Sequence, residues 1–341
     1  MTTWFVLPLL CLVMYVVLDG YDLGIGIASL VERDRGHRRE MLELVAQGWD
    51  GNETWLVLLA VSLWAGFPLA FGTILPHAYL ALIAVLFALI VRGVSVEMAS
   101  QARPAPRWER AFGVASLIAA LGQGAVLGTL TESLTVVNGG FSGSPFGAIG
   151  WFSALAAATV TCIYLAMGYA YTRWKATGAL RAHAGRRGTV TVSLAAGLVV
   201  ACLVAVNRTA APLNLSHPGP AIAFAGLLLF SAAGVVLALV MLRSTARYDA
   251  LPIAGLAAAT VALLLAVVVA RYPVLVPPGL TLQNTVAPSS TIVFLAVGIG
   301  LNVPLLLFYN WFAQRTFRGK VTGAPQGRDI ADASTGARHD Y

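Results

Sequence analysis

Nine runs of roughly twenty apolar residues follow one another along this chain, at about 4–30, 50–72, 77–97, 111–131, 149–172, 189–207, 220–242, 252–271 and 289–313. Each is long enough to cross about 30 Å of hydrocarbon as a helix. In lipid the backbone N–H and C=O groups of such a run must be satisfied within the run itself, which leaves the helix as its fold. Composition agrees: 58% of residues are hydrophobic and 11% charged, with a mean hydropathy of +0.78, which excludes a water-soluble globular domain. The expected fold is all-α, a polytopic membrane protein of nine transmembrane helices. It forms one transmembrane helical domain over residues 1–320, followed by a polar, flexible tail over residues 321–341. The first run, "TTWFVLPLLCLVMYVVL", lacks a basic leader and a small-residue cleavage site and reads as a retained helix.

Orientation follows from the basic residues. Nineteen of the 22 Lys and Arg fall in the loops after the first, third, fifth and seventh runs and in the tail. The opposite side holds Arg208 and Arg271, and Arg92 lies within the third run. This asymmetry predicts an outside N-terminus and a cytoplasmic C-terminus. It also explains the formal charge of +7 without nucleic acid, because the cations sort by membrane side and form no basic patch. Cys11, Cys162 and Cys202 sit singly in apolar runs, so neither a disulfide nor a cysteine-bound metal is expected. No segment outside the membrane is long enough for a domain, so function must lie within the helices or in a partner.

The acids are the unusual feature. "LDGYDLGIG" puts Asp19 and Asp22 three residues apart near the inner end of the first run, and "WDGNETWLV" puts Asp50 and Glu53 at the same end of the second. The third run closes with "VRGVSVEMA", which carries Arg92 and Glu97 to that boundary. Ionisable groups at this depth are costly, and their default reading is pairing, an ion path or a proton relay. For Glu53, complementing the positive end of a helix dipole is an equal alternative. For Asp19 and Asp22 it fails, because they lie toward a helix C-terminus. Arg92 can satisfy one carboxylate but not four. Desolvated carboxylates that repel one another hold protons more tightly, which suits them to passing protons inward. Gly20, Gly24 and Gly26 do not make a nucleotide-binding fingerprint. Gly20 and Gly24 instead have the small-xxx-small spacing that lets a second helix approach closely.

Haem ligation would need histidines inside the helices. His37, His77, His183, His217 and His339 all read as loop or helix-end residues, so no haem and no metal is expected on this chain alone. Serine hydrolase, P-loop and zincin signatures are absent. On the outer side, "RYPVLVPPGLTLQNTVAPSST" (271–291) reads as a stiff connector, while no motif assigns Glu132 or Asn138 a role. Asn302 and Pro304 interrupt the last run, where a kink is tolerated if neighbours satisfy the freed carbonyl.

"LDGYDLGIG" and "WDGNETWLV", then Phe67–Pro68, "RGVSVEM", "YPVLVPPGLTLQNTVAP" and "LLLFYNWF" in that order, resemble subunit II of the cytochrome bd quinol oxidases. The likeness covers nearly the whole chain, and the resemblance implies nine helices in the bacterial cytoplasmic membrane. It further implies a haem-bearing subunit I as partner, holding three haems of types b and d, and a complex that oxidises quinol and reduces oxygen to water. Subunit II packs against subunit I and stabilises it. The family's "WDGN" aspartate, here Asp50, is associated with a proton path from the cytoplasm. Many relatives carry an uncharged residue at the position of Glu53, and Glu97 matches the family's acid only loosely. Some members hold a structural quinone, for which these residues show no matching site.

Together these readings make Asp50 the principal relay of a cytoplasmic proton path, with Asp19, Asp22 and Glu97 as feeders or hydrogen-bond partners, Glu53 on the same path, and Arg92 as the charge partner that lets at least one acid stay ionised. An ion-coupled secondary transporter is the alternative. It would show broken helices at the midplane and inverted repeats, whereas the acids gather at one edge and no repeat is evident. A scaffold in which the acids only pin helices together fits the sequence equally well.

Overall fold

The structure is a computed structural model that describes residues 2–46, 48–101, 105–131, 136–137, 140–141, 146, 149–209, 213, 215–244, 248–316 and 319. The tail over residues 321–341, with His339, lies outside the described residues, as do Glu132 and Asn138. A 3-10 turn, Thr2–Phe5, leads into α1 (Val6–Val31), followed by α2 (Arg35–Val45), α3 (Trp49–Gly66), α4 (Pro68–Gln101) and α5 (Ala105–Thr129). After a two-stranded hairpin, β1 (Val136–Val137) and β2 (Gly140–Phe141), come α6 (Trp151–Lys175), α7 (Gly178–Ala205), α8 (Pro218–Arg243) and α9 (Leu251–Arg271). A second hairpin, β3 (Val274–Val276) and β4 (Leu280–Thr281), precedes the short α10 (Leu282–Thr285) and α11 (Ser289–Thr316).

Among the described residues eight helices are long and apolar enough to cross a membrane. The run expected at 50–72 differs. It stops at Gly66, and after Phe67 a new helix starts on Pro68, so residues 68–72 join the next run in a single 34-residue helix, α4. Proline suits this position because a first-turn N–H has no intrahelical partner to lose. His77, expected in a loop or at a helix end, lies inside α4 together with Pro76. The basic stretch "RAHAGRRG" (181–188), between the runs expected at 149–172 and 189–207, is helical too: α7 begins at Gly178, whose φ of +58° suits a residue without Cβ, and it therefore contains His183, expected in a loop or at a helix end. The three cysteines are free thiols.

α1 is the central element. It packs against α3, α5 and α6, and Cys11, Tyr15, Leu23, Ile25 and Ala28 are buried along it. α4 pairs with α5, α6 with α7 and α8 with α9, while α11 lies on α3. The amphipathic α2 is tied to the basic end of the bundle. Asp34 caps it by accepting from His37 N at 2.9 Å, which holds the Asp34 carboxyl below the ordinary carboxylate range. Arg38 donates to the Ser29 and Glu32 carbonyls at 3.2 and 2.7 Å, satisfying the end of α1. At the opposite end the proline-rich connector folds as the β3–β4 hairpin. Val276 and Leu282 bury there against Phe67 and Ala70, covering the junction of α3 and α4.

Candidate functional site

The "LDGYDLGIG" segment is about two and a half turns of α1 with two working faces. On one face Asp19 and Asp22 are buried, 0% and 1% exposed. On another, Gly24 abuts α6: a Cβ there would lie 1.8 Å from Tyr164 O and 2.8 Å from Gly168 N. Gly20 faces the Tyr164 ring, and Gly26 faces Ser116 of α5. The glycines let α1 sink between α5 and α6, and this places the two carboxylates in protein interior, away from lipid.

"WDGNE" opens α3 beside them, and each residue meets a different neighbour. The Trp49 ring lies over Gly93 of α4, where a Cβ would be 3.0 Å from it. Gly51 leaves room for the Tyr309 ring of α11. Asn52 Nδ2 donates to Asp22 Oδ2 at 2.7 Å, and also lies 3.2 Å from Tyr21 Oη and 3.3 Å from Leu18 O. An amide nitrogen has two hydrogens for these three acceptors, so the short contact to Asp22 dominates. Glu53 turns to Arg92, while Asp50 is exposed.

Arg92, on α4 and 0% exposed, is the centre of the cluster. It holds Asp19 by two nitrogens, Nη2 to Oδ1 at 2.6 Å and Nη1 to Oδ2 at 3.0 Å, the planar fork that a guanidinium presents to a carboxylate. Nη1 also donates to Glu53 Oε1 at 2.9 Å, and Nη2 lies 3.9 Å from Asp22 Oδ2. The expectation that one arginine serves one carboxylate is corrected here: the fork faces three, because α1, α3 and α4 converge on it from different sides. The Glu53 side chain, 23% exposed, is the outermost of the three.

The sequence-predicted acids therefore divide. Asp19, Asp22 and Glu53 meet at Arg92, and Asp50 stands at the surface one turn from Glu53. Glu97 is exposed further along α4, outside the ion pairs that Arg92 makes with described residues. Two amides were missed. Besides Asn52, Gln123 of α5 donates to Tyr15 Oη at 2.6 Å and accepts from Tyr164 Oη at 3.0 Å, in an interior layer one turn of α1 beyond Asp19. An uncharged amide inside an apolar run, as in "LGQGAV", is the signal that finds such residues. Among the described residues no three His, Cys, Asp or Glu side chains form a metal site.

Asn52 gives a direct test of this geometry. Replacing it by Leu leaves Asp22 Oδ2 without its short donor inside the protein. Asn52→Leu is expected to cost about 1–3 kcal/mol, read as a lower melting temperature in detergent, while Thr54→Val, which removes only a solvent-exposed bond to the Asp50 carbonyl of the same helix, stays near wild type.

Residues 1–317 match the family described as cytochrome bd terminal oxidase subunit II. The chain is similar to the cytochrome bd-I ubiquinol oxidase subunit 2 of Escherichia coli strain K12, 26% identical over 212 residues, 60% of this chain and 55% of that protein. It is also similar to the cytochrome bd ubiquinol oxidase subunit 2 of Bacillus subtilis strain 168, 37% identical over 98 residues, 28% of each chain. The matched region thus spans little more than half the length of the E. coli relative. The solved bd oxidase of Geobacillus thermodenitrificans contains a chain of the same fold, with a TM-score of 0.75 at 17% identity, over 93% of this chain and 99% of that one. Eight apolar spans and bacterial relatives make this a multi-pass protein of the bacterial plasma membrane. The family match over nearly the whole chain settles its kinship: it belongs to the cytochrome bd terminal oxidase subunit II family.

Proposed function

We propose that the chain is the second subunit of a quinol:oxygen oxidoreductase, a terminal respiratory oxidase, and that its buried acids form the cytoplasmic mouth of a proton path. In this reading it spans the membrane nine times, α3 included, with its N-terminus outside. It packs against a haem-bearing subunit I that holds haems b and d, where quinol is oxidised and oxygen reduced to water. Its own residues bring protons to that partner and stabilise it. The protons consumed come from the cytoplasm, so turnover separates charge without pumping.

The observation that carries this reading is the juxtaposition at the start of α3. Exposed Asp50 stands one turn from Glu53, and Glu53 touches Arg92, which in turn holds Asp19 and Asp22. Three carboxylates around one guanidinium exchange protons as a unit, and that unit has a surface acid next to it. Asp50 receives protons, the cluster passes or stores them, and Arg92 keeps at least one of its acids ionised.

The test is quinol-driven oxygen uptake by the membrane complex carrying Asp50→Asn, measured beside its optical spectrum. Uptake is expected to fall by roughly tenfold or more, as for loss of a proton-transferring group, with the haem bands unchanged. Haem bands lost in step with activity would leave Asp50 an assembly role, the scaffold reading. Unchanged uptake would remove Asp50 from the path.

A further inference from the structure

We propose that the outer corner of α6 and α7 binds an anionic phospholipid, in the leaflet opposite the arginine-rich loops. α6 begins at Trp151, and α7 ends at Ala205 with a 3-10 turn, Val206–Arg208. The two helices are antiparallel neighbours, so the indole and the guanidinium lie at the same level. Between them is a cavity of about 570 Å³ lined by Trp151, Ala201, Val204, Ala205 and Arg208.

Three features give this corner a chemistry. Arg208 forms no hydrogen bond or ion pair with any described residue. The other cation on that side, Arg271, is committed to the Leu130 carbonyl at 3.1 Å. Among the described residues Arg208 is therefore an uncommitted cation at the bilayer edge, and none of those that line the cavity is an acid. Trp151, 60% exposed, brings an N–H donor and an apolar ring, the combination that settles at the headgroup level. Below them Val204, Ala201, Gly197, Leu194 and Val190 alternate at spacings of three and four, all exposed on one face of α7. At about 1.5 Å per residue this stripe runs for roughly 20 Å, longer than the ~15 Å of one leaflet. Small residues at Ala201 and Gly197 hollow it, and a Cβ on Gly197 would meet nothing within 4 Å.

A cation and an N–H donor above an apolar channel fit a phosphodiester head with an acyl chain. The guanidinium binds the phosphate oxygens, the indole donates to the same head, and the chain lies along α7. Free inorganic phosphate can make the first two of these contacts and lacks the third, the acyl chain along α7.

The experiment uses the complex extracted from membranes, stripped of loosely held lipid and titrated with phosphatidylglycerol or with phosphatidylcholine of identical acyl chains, with bound lipid counted by native mass spectrometry. Wild type is expected to retain one phosphatidylglycerol that Arg208→Gln binds about tenfold or more weakly, with Arg208→Lys in between. Val204→Trp, which keeps the charge and fills the channel, is expected to lose it as well. Excess inorganic phosphate is expected to leave the bound lipid in place. Equal retention by wild type and Arg208→Gln, equal retention of phosphatidylcholine, or release by phosphate alone would each overturn the assignment. So would a protein partner found covering this face of α7.

Discussion

Arg92→Leu is expected to destabilise the folded chain by about 3–5 kcal/mol, one of the largest losses any single replacement here should cause. The fully buried guanidinium faces three carboxylates, and removing it leaves Asp19 with neither of its two charged donors and Glu53 without its partner. A buried pair is worth little against a well-packed apolar alternative, but half a pair is costly, because the surviving charge has no solvent and no counter-ion. The same argument predicts a non-additive rescue. Arg92→Leu combined with Asp19→Leu is expected to recover a large part of the loss, whereas Arg92→Leu with Glu97→Gln recovers none, since Glu97 lies outside the Arg92 ion pairs. Melting of the detergent-solubilised complex across this double-mutant cycle measures the coupling directly. Additive losses at Arg92 and Asp19 would mean that the bidentate pair does not hold α1 to α4.

How much of this could be read from the sequence depended on which physical constraint was at work. Spans were legible because hydrocarbon thickness demands long apolar runs, and eight of them appear as long helices. The α3–α4 boundary was not, because proline at a helix start and proline inside a helix look alike in sequence: Pro68 begins α4, while Pro76 sits within it. α2 was hidden because an 11-residue amphipathic helix is far below span length and looks like a charged loop. In the site, Asp19, Asp22, Glu53 and Arg92 stood out because charges are costly at that depth. Their pairing did not, since it depends on the relative rotation of three helices. Asp50 and Glu53 show the limit most clearly. Three residues apart, they share a helix face by spacing, yet one is exposed and the other reaches Arg92. Asn52 and Gln123 were overlooked because neutral amides carry no charge signal, although Asn52 makes the shortest hydrogen bond to Asp22.

The cluster also depends on an approach that only glycine permits, and this sets the second large effect. Gly24 and Gly168 meet where α1 crosses α6: a Cβ on Gly24 would lie 1.8 Å from Tyr164 O, and one on Gly168 would lie 2.3 Å from Gly24 C. Both obstacles are backbone, so no side-chain rotation relieves them and the two helices must separate. Gly24→Ala is therefore expected to cost about 3 kcal/mol or more, at the upper end for overpacking, although Ala is the better helix former. Gly226→Ala in α8, where a Cβ would meet nothing within 4 Å, is the matched control: it gains helix propensity without a clash and is expected to be at least as stable as wild type, by up to about 1 kcal/mol. The functional consequence follows from position. Asp22 lies two residues before Gly24 on the same rigid helix, so separating α1 from α6 shifts the carboxylates against Asn52 and Arg92. Gly24→Ala should thus lower the melting temperature of the complex and slow its turnover together, whereas Asp50→Asn slows turnover alone. A Gly24→Ala complex that melts like wild type would show that α1 and α6 do not touch at this crossing.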